Sequence, residues 1–219
     1  MPKREEITAT QGILLEVIAK FAPSSLYELH QRATEYEQLK KVSFSVVLRN
    51  AKWLEKEGYI RLTATGVRRA KKPELTAWGL IEVWKSGRVD HTTLLTCLGR
   101  FSKMIAKIKG LPQFKDEGFV NKVIGAAIPF AEHEMDLELF YAHSTGEEPR
   151  NSDRVFIDRI EERVVSNALP ELPDSEVKSL DTETRKRIIE ILERKIEQHR
   201  DEAAKPRRRP KIGKNSSRG

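Results

Sequence analysis

Ser43-Phe44-Ser45-Val46-Val47-Leu48-Arg49-Asn50-Ala51-Lys52-Trp53-Leu54-Glu55-Lys56-Glu57-Gly58-Tyr59-Ile60-Arg61-Leu62-Thr63 reads as a helix running straight into a strand. Ser43 or Ser45 can open the helix, and Val46, Val47, Ala51 and Leu54 recur at helical spacing to form its apolar face. Gly58 stands where helices end on a left-handed glycine. Beyond it, Tyr59 to Thr63 alternate apolar and polar side chains with β-branched and aromatic content, the period of a strand. Residues 65–73 are polar and basic, contain Gly66 and Pro73, and predict a hairpin tip. Residues 74–76 suffice for a short return strand. Thr76 can then cap a helix over 77–84 with Trp78, Ile81 and Trp84 turned inward.

Upstream, Ile13, Leu14, Val17, Ile18 and Phe21 make one apolar stripe and predict a helix over 8–21. Pro23 ends it. Ser24 or Ser25 can cap a second helix, with Glu28 placed to close a capping box from Ser25 and with Leu26, Leu29 and Ala33 inward. Three helices, a basic hairpin and a fourth helix, in that order, describe a winged helix-turn-helix. A major groove admits one α-helix, and in such a unit the second helix of the turn enters it. Here that is the helix opening at Ser43. Ser43, Ser45, Arg49, Asn50 and Lys52 supply the hydroxyl, guanidinium, amide and ammonium groups that meet base edges and phosphates, while Arg68, Arg69, Lys71 and Lys72 crowd the hairpin tip. A solvated basic loop is the plainer account of that tip taken alone.

Leu26-Tyr27-Glu28-Leu29, residues 47–60 and Leu75-Thr76-Ala77-Trp78-Gly79 resemble winged-helix regulators of the PadR and MarR kind, over residues 8–88. The resemblance implies a double-stranded DNA-binding transcriptional regulator. By fold analogy it also implies a homodimer whose second domain supplies the dimer contact or senses an effector, the ligand being unspecified. Two departures stand out: residues 33–42 are longer than a tight turn needs, and the wing carries Val67-Arg68-Arg69-Ala70-Lys71-Lys72-Pro73.

The remaining chain predicts helices over 94–108, 119–141 (kinked or split at Pro129), 155–169 and 175–200, with a loop at 144–152. The last helix can serve as a dimer element or pack on its own domain. The expected class is mainly α. Residues 1–89 form a DNA-binding domain, 90–204 a helical dimerisation or effector domain, and 205–219 a basic tail unable to bury enough surface to fold alone.

Charge follows the same division. Residues 1–89 carry a balance of +6, residues 90–204 of −6, and the tail of +7, for a net +7 at a pI of about 9.4. A polyanion would meet the two ends, unless the segregation is chance. The apolar runs fall far short of the roughly 18 residues of a membrane span. MPKREEI lacks an apolar stretch behind its charges, which predicts no secretory signal. The single cysteine, Cys97, suits a reducing, cytoplasmic setting, nucleoid-associated if DNA is the partner.

Chemistry has few footholds. Glu132, His133, Glu134, Asp136 and Glu138 form an acidic run, but Leu137 stands where a zinc-binding helix would place its second histidine. Cys97 sits on an apolar stretch and reads as core, with His91 a weak potential partner. The sequence contains no phosphate-cradling Gly-rich loop, no GxSxG and no CxxC, so the expectation is a non-enzyme without cofactors. Trp53 and Trp78 read as core aromatics rather than stacking platforms for single strands. Two alternatives stay open: an architectural or replication-associated nucleic-acid binder, and a winged-helix interaction adaptor.

Overall fold

The computed structural model describes residues 6–64 and 70–204. Among them are ten α-helices and one two-stranded antiparallel sheet, so the chain is mainly helical with a single hairpin.

Helix α1 (Ala9–Phe21) starts on a full capping box: Gln11 N–H donates to the Thr8 hydroxyl, and the Gln11 side-chain oxygen accepts from Thr8 N–H at 2.8 Å. Its buried surface extends over Ile13 to Ala19 without interruption, wider than the stripe expected. Phe21, expected on that stripe, is instead exposed, with the Arg32 guanidinium 5.1 Å above its ring. Helix α2 (Leu26–Ala33) is capped by Ser25, whose hydroxyl accepts from Glu28 N–H at 3.1 Å. The Glu28 carboxylate reaches one residue further than the capping box requires. It takes both the N–H and the hydroxyl of Ser24, at 2.8 and 2.7 Å, which holds the Glu28 carboxyl below its ordinary value of 4.5.

The long link after α2 has a packing role. A 3-10 turn, Glu37–Leu39, buries Leu39, and the Tyr36 hydroxyl donates to the buried Glu16 carboxylate of α1 at 3.0 Å. Burial first and this hydrogen bond second push the Tyr36 phenol up to about 12.

Helix α3 (Phe44–Lys56) buries Val47, Ala51 and Leu54; Val46, expected with them, is only half-buried. It ends in a Schellman turn: Tyr59 N–H reaches the Leu54 carbonyl at 2.8 Å and Gly58 N–H reaches Glu55 at 3.1 Å, with Gly58 at φ +79°. Strand β1 (Ile60–Ala64) then pairs with β2 (Lys71–Leu75), from Ile60↔Leu75 to Ala64↔Lys71. The return strand is therefore longer than its expected three residues, and Lys71, Lys72 and Pro73 belong to it rather than to the tip. Pro73 is tolerated because both strands of a two-stranded sheet are edges. Arg68 and Arg69 lie outside the described residues.

Thr76 links the strand to α4 (Ala77–Lys85). Its hydroxyl donates to the Gly58 carbonyl at 2.6 Å and accepts from Gly79 N–H at 3.2 Å, while its own N–H donates to the Tyr59 carbonyl at 3.0 Å. Gly79 is packed so closely that a Cβ would overlap the Tyr59 carbonyl oxygen. Ala77, Leu80, Ile81 and Val83 are all buried, whereas Trp78 and Trp84, expected inward, are half-buried. The expectation gave α4 one inner face. In the fold it meets α1 and β2 as well as α5, α7 and α8, so it is buried on several sides.

Beyond α4 lie α5 (His91–Phe101), α6 (Lys103–Ile108), α7 (Glu117–Thr145), α8 (Ser152–Ala168), α9 (Asp174–Ser179) and α10 (Thr182–Ala204). Two expected helices are each broken in two. Ser102 is extended (φ −124°, ψ 120°) and caps Ile105 N–H, which separates α5 from α6. Leu180 is also extended, and Asp181 accepts from Thr184 N–H at 3.0 Å, which separates α9 from α10. Helix α7 runs through Pro129 unsplit. Buried apolar side chains form one cluster running from Ile13 to Ile191 across the boundary expected at 89.

Gly79→Ala should cost about 3 kcal/mol or more in urea unfolding, at the upper end for overpacking, because its neighbour is backbone and cannot turn aside. The contribution of Glu28, whose folded-state value is depressed, should be complete above pH 4.5 and vanish as the pH falls through the lower folded-state value. Glu28→Gln should accordingly flatten the acid limb of the stability–pH curve measured by urea titration.

Candidate nucleic-acid interface

One face of α3 is buried and the opposite face is polar. Ser45, Arg49, Lys52 and Lys56 are all exposed and follow at spacings of four, three and four. At 100° per residue they fall within an arc of about 60°, opposite Val47, Ala51 and Leu54. The buried set fixes the rotation of the helix, so the outward set is fixed with it. Arg49 and Lys52 have no ion-pair partner among the described residues, while Lys56 is 3.8 Å from Glu57.

The other expected readers differ among themselves. Ser43 occupies the N-cap position before α3 but makes no side-chain cap hydrogen bond; its hydroxyl is 2.9 Å from that of Ser45. Asn50 is half-buried and its NH2 donates to the Val46 carbonyl at 2.9 Å, so part of its hydrogen-bonding capacity is spent on its own helix. Lys71 is exposed at the tip end of β2. Lys72 lies on the other face of that strand, 2.8 Å from Glu74. The tail from 205 lies outside the described residues, as do Arg68 and Arg69.

Several other exposed residues on or next to α2 and α3 were not singled out from the sequence. Lys41 and Lys56 are exposed cations. Tyr27 on α2 is 63% exposed and Phe44, the first residue of α3, 40%. Their ring centroids are 6.4 Å apart, and His30 meets Phe44 edge-on at 5.8 Å. The usable signal was negative: Tyr27 falls outside the inward set Leu26, Leu29 and Ala33. Trp53 and Trp78 are half-buried, Trp53 packing against the core and stacking on Tyr59 at 6.1 Å and 22°.

The acidic run of α7 is spent on partners. Glu132 pairs with Lys85, Glu134 with Arg159 at 3.6 Å, and Glu138 with Arg150 through two bonds of 2.7 and 2.8 Å that hold its carboxyl low. Among the described residues, no group of three or more His, Cys, Asp or Glu is placed to hold a metal ion, and no helix is long and apolar enough to cross a membrane. Cys97 is buried; its thiol donates to the Ala19 carbonyl at 3.2 Å, and burial pushes its pKa up.

Comparison with protein-family models, with curated proteins and with solved structures gives no match.

A buried thiol with a raised pKa reacts through opening of the fold. Native protein at pH 8 should therefore be inert to an aromatic disulfide reagent over minutes and release one equivalent of chromophore in 6 M urea (~one thiol per chain, from Cys97). Rapid labelling of the native chain would contradict the burial.

Proposed function

We propose that the chain is a double-stranded DNA-binding transcriptional regulator, built as a winged helix-turn-helix and acting as a homodimer. Helix α3 occupies the major groove, and the basic hairpin lies on the backbone or in the adjacent minor groove. The observation that carries this reading is the α3 stripe: Arg49 and Lys52, exposed and without ion-pair partners among the described residues, opposite a sealed apolar face. Exposed like charges on one helix face repel, and a polyanion converts that repulsion into attraction. Support for a dimer element comes from α10, where Ile189 and Ile196, two turns apart, are 53% and 54% exposed. A two-fold dimer would match a palindromic site.

A second reading, an architectural binder with little base readout, is favoured by Asn50, whose amide group is turned onto its own helix. The two readings part on one comparison. For a regulator, Arg49→Ala should lose about 1–3 kcal/mol of discrimination between selected and mismatched duplexes. Lys52→Ala should weaken all duplexes alike and lower the salt slope by about one. Equilibrium titrations over a salt series decide it, and two variants that bind like the wild type would remove α3 from the interface. Sedimentation of the full chain at tens of micromolar should show a dimer, and a monomer there would refute that part.

A further inference from the structure

We infer that Phe44 is a specificity-determining residue that reads the 5-methyl group of a thymine, an inference that rests on the duplex-DNA reading above. Phe44 is the first residue of α3 and is 40% exposed, yet its ring is not loose. Tyr27 lies on one side at 6.4 Å and 53°, and His30 stands edge-on at 5.8 Å and 85°. His30 is itself anchored, its Nε2 hydrogen-bonded to the Val42 carbonyl oxygen at 2.9 Å. An exposed aromatic held by two others loses little freedom when it meets a ligand, which favours binding.

The chemistry of the ligand follows from what a phenyl ring lacks. It neither donates nor accepts a conventional hydrogen bond, so the carbonyl, amino and ring-nitrogen edges of bases give it nothing. The thymine methyl is the apolar group that the major groove presents, and apolar side chains read it. The local charge suits a duplex rather than an apolar protein groove, since Lys41, Arg49 and Lys52 are exposed within eight residues of Phe44 in the sequence. Tyr27 is 63% exposed, and a tyrosine hydroxyl can donate to a phosphate.

The helix also sets a distance. Five residues separate Phe44 from Arg49, a rise of about 7.5 Å and a rotation of about 140° around the helix axis. The thymine should therefore belong to a different base pair from the one that Arg49 contacts.

The test starts from duplexes selected from a random pool by the full-length protein. Each thymine of the selected sequence is replaced in turn by deoxyuracil, which removes the methyl and leaves every hydrogen-bonding group in place. One position should lose about fourfold in affinity, the value of one buried methyl. Phe44→Ala should bind the thymine and uracil duplexes equally. Arg49→Ala should keep the thymine preference, because the two residues read different positions. Wild-type affinity that is indifferent to uracil at every position overturns the inference while leaving the DNA reading intact. So does tight binding with no sequence enrichment, which would instead favour the architectural reading. Failure to bind any duplex, including at low salt, removes both.

Discussion

Thr76 is where the first half of the fold is tied together. Its hydroxyl joins the end of α3, at the Gly58 carbonyl, to the first turn of α4, at Gly79 N–H. Its backbone N–H holds the Tyr59 carbonyl, the same group that leaves no room for a Cβ on Gly79. Two helices and both strands of the hairpin therefore converge on four residues. The angle at which α3 leaves the core, and with it the direction of the Arg49 and Lys52 side chains, depends on this knot. Glu55 reinforces it by accepting from Leu62 N–H at 3.2 Å, which docks β1 onto α3 itself.

The second half is joined to the first at Asp153. One carboxylate oxygen accepts from Ala77 N–H at 2.7 Å, satisfying a free donor at the start of α4, and the other pairs with Arg61 of β1. Asp153 lies in the first turn of α8, so one side chain of the helical region holds both the hairpin and the start of α4. A second polar group works at depth. Glu161, buried on α8, accepts from Ser102 at 2.6 Å and pairs with Arg187 of α10 at 2.8 Å. Ser102 is the residue at which α5 gives way to α6, so the helix break and the buried carboxylate satisfy each other.

Much of this was legible and some was not, for physical reasons. The inward sets of α2 and most of α3, the Gly58 turn and the Thr76 cap follow from periodicity and cap chemistry, which are local. The breaks at Ser102 and Leu180 escaped because the apolar spacing continues across them; a serine or aspartate that caps a new helix overrides periodicity only once tertiary partners such as Glu161 exist. Helix α4 was given one inner face, although Ala77-Trp78-Gly79-Leu80-Ile81 is apolar nearly all round, which is the signature of a helix buried on several sides. The Lys71 and Lys72 placement turned on strand register, which a short basic run does not specify. At the candidate interface, the stripe was legible through its opposite face, while the Phe44–Tyr27–His30 grouping joins two helices and had no sequence signature.

The uneven charge along the chain takes on physical content from these contacts. Glu132, Glu134, Glu138, Asp158, Glu161, Glu162 and Glu171 are each matched to an arginine or lysine within the fold. Some of those pairs cross between helices, as Lys85 of α4 does to Glu132 of α7 and Arg159 of α8 to Glu134 of α7, so part of the acid of the helical region is spent on assembly. The matched charges are screened by their partners and contribute little field at a distance. On α3 the opposite holds, since Arg49 and Lys52 have no such partner among the described residues and face solvent. A balance that sums to −6 in one region and +6 in another therefore understates the contrast at the surface. What an approaching polyanion meets at α3 is positive charge that the fold has left uncompensated.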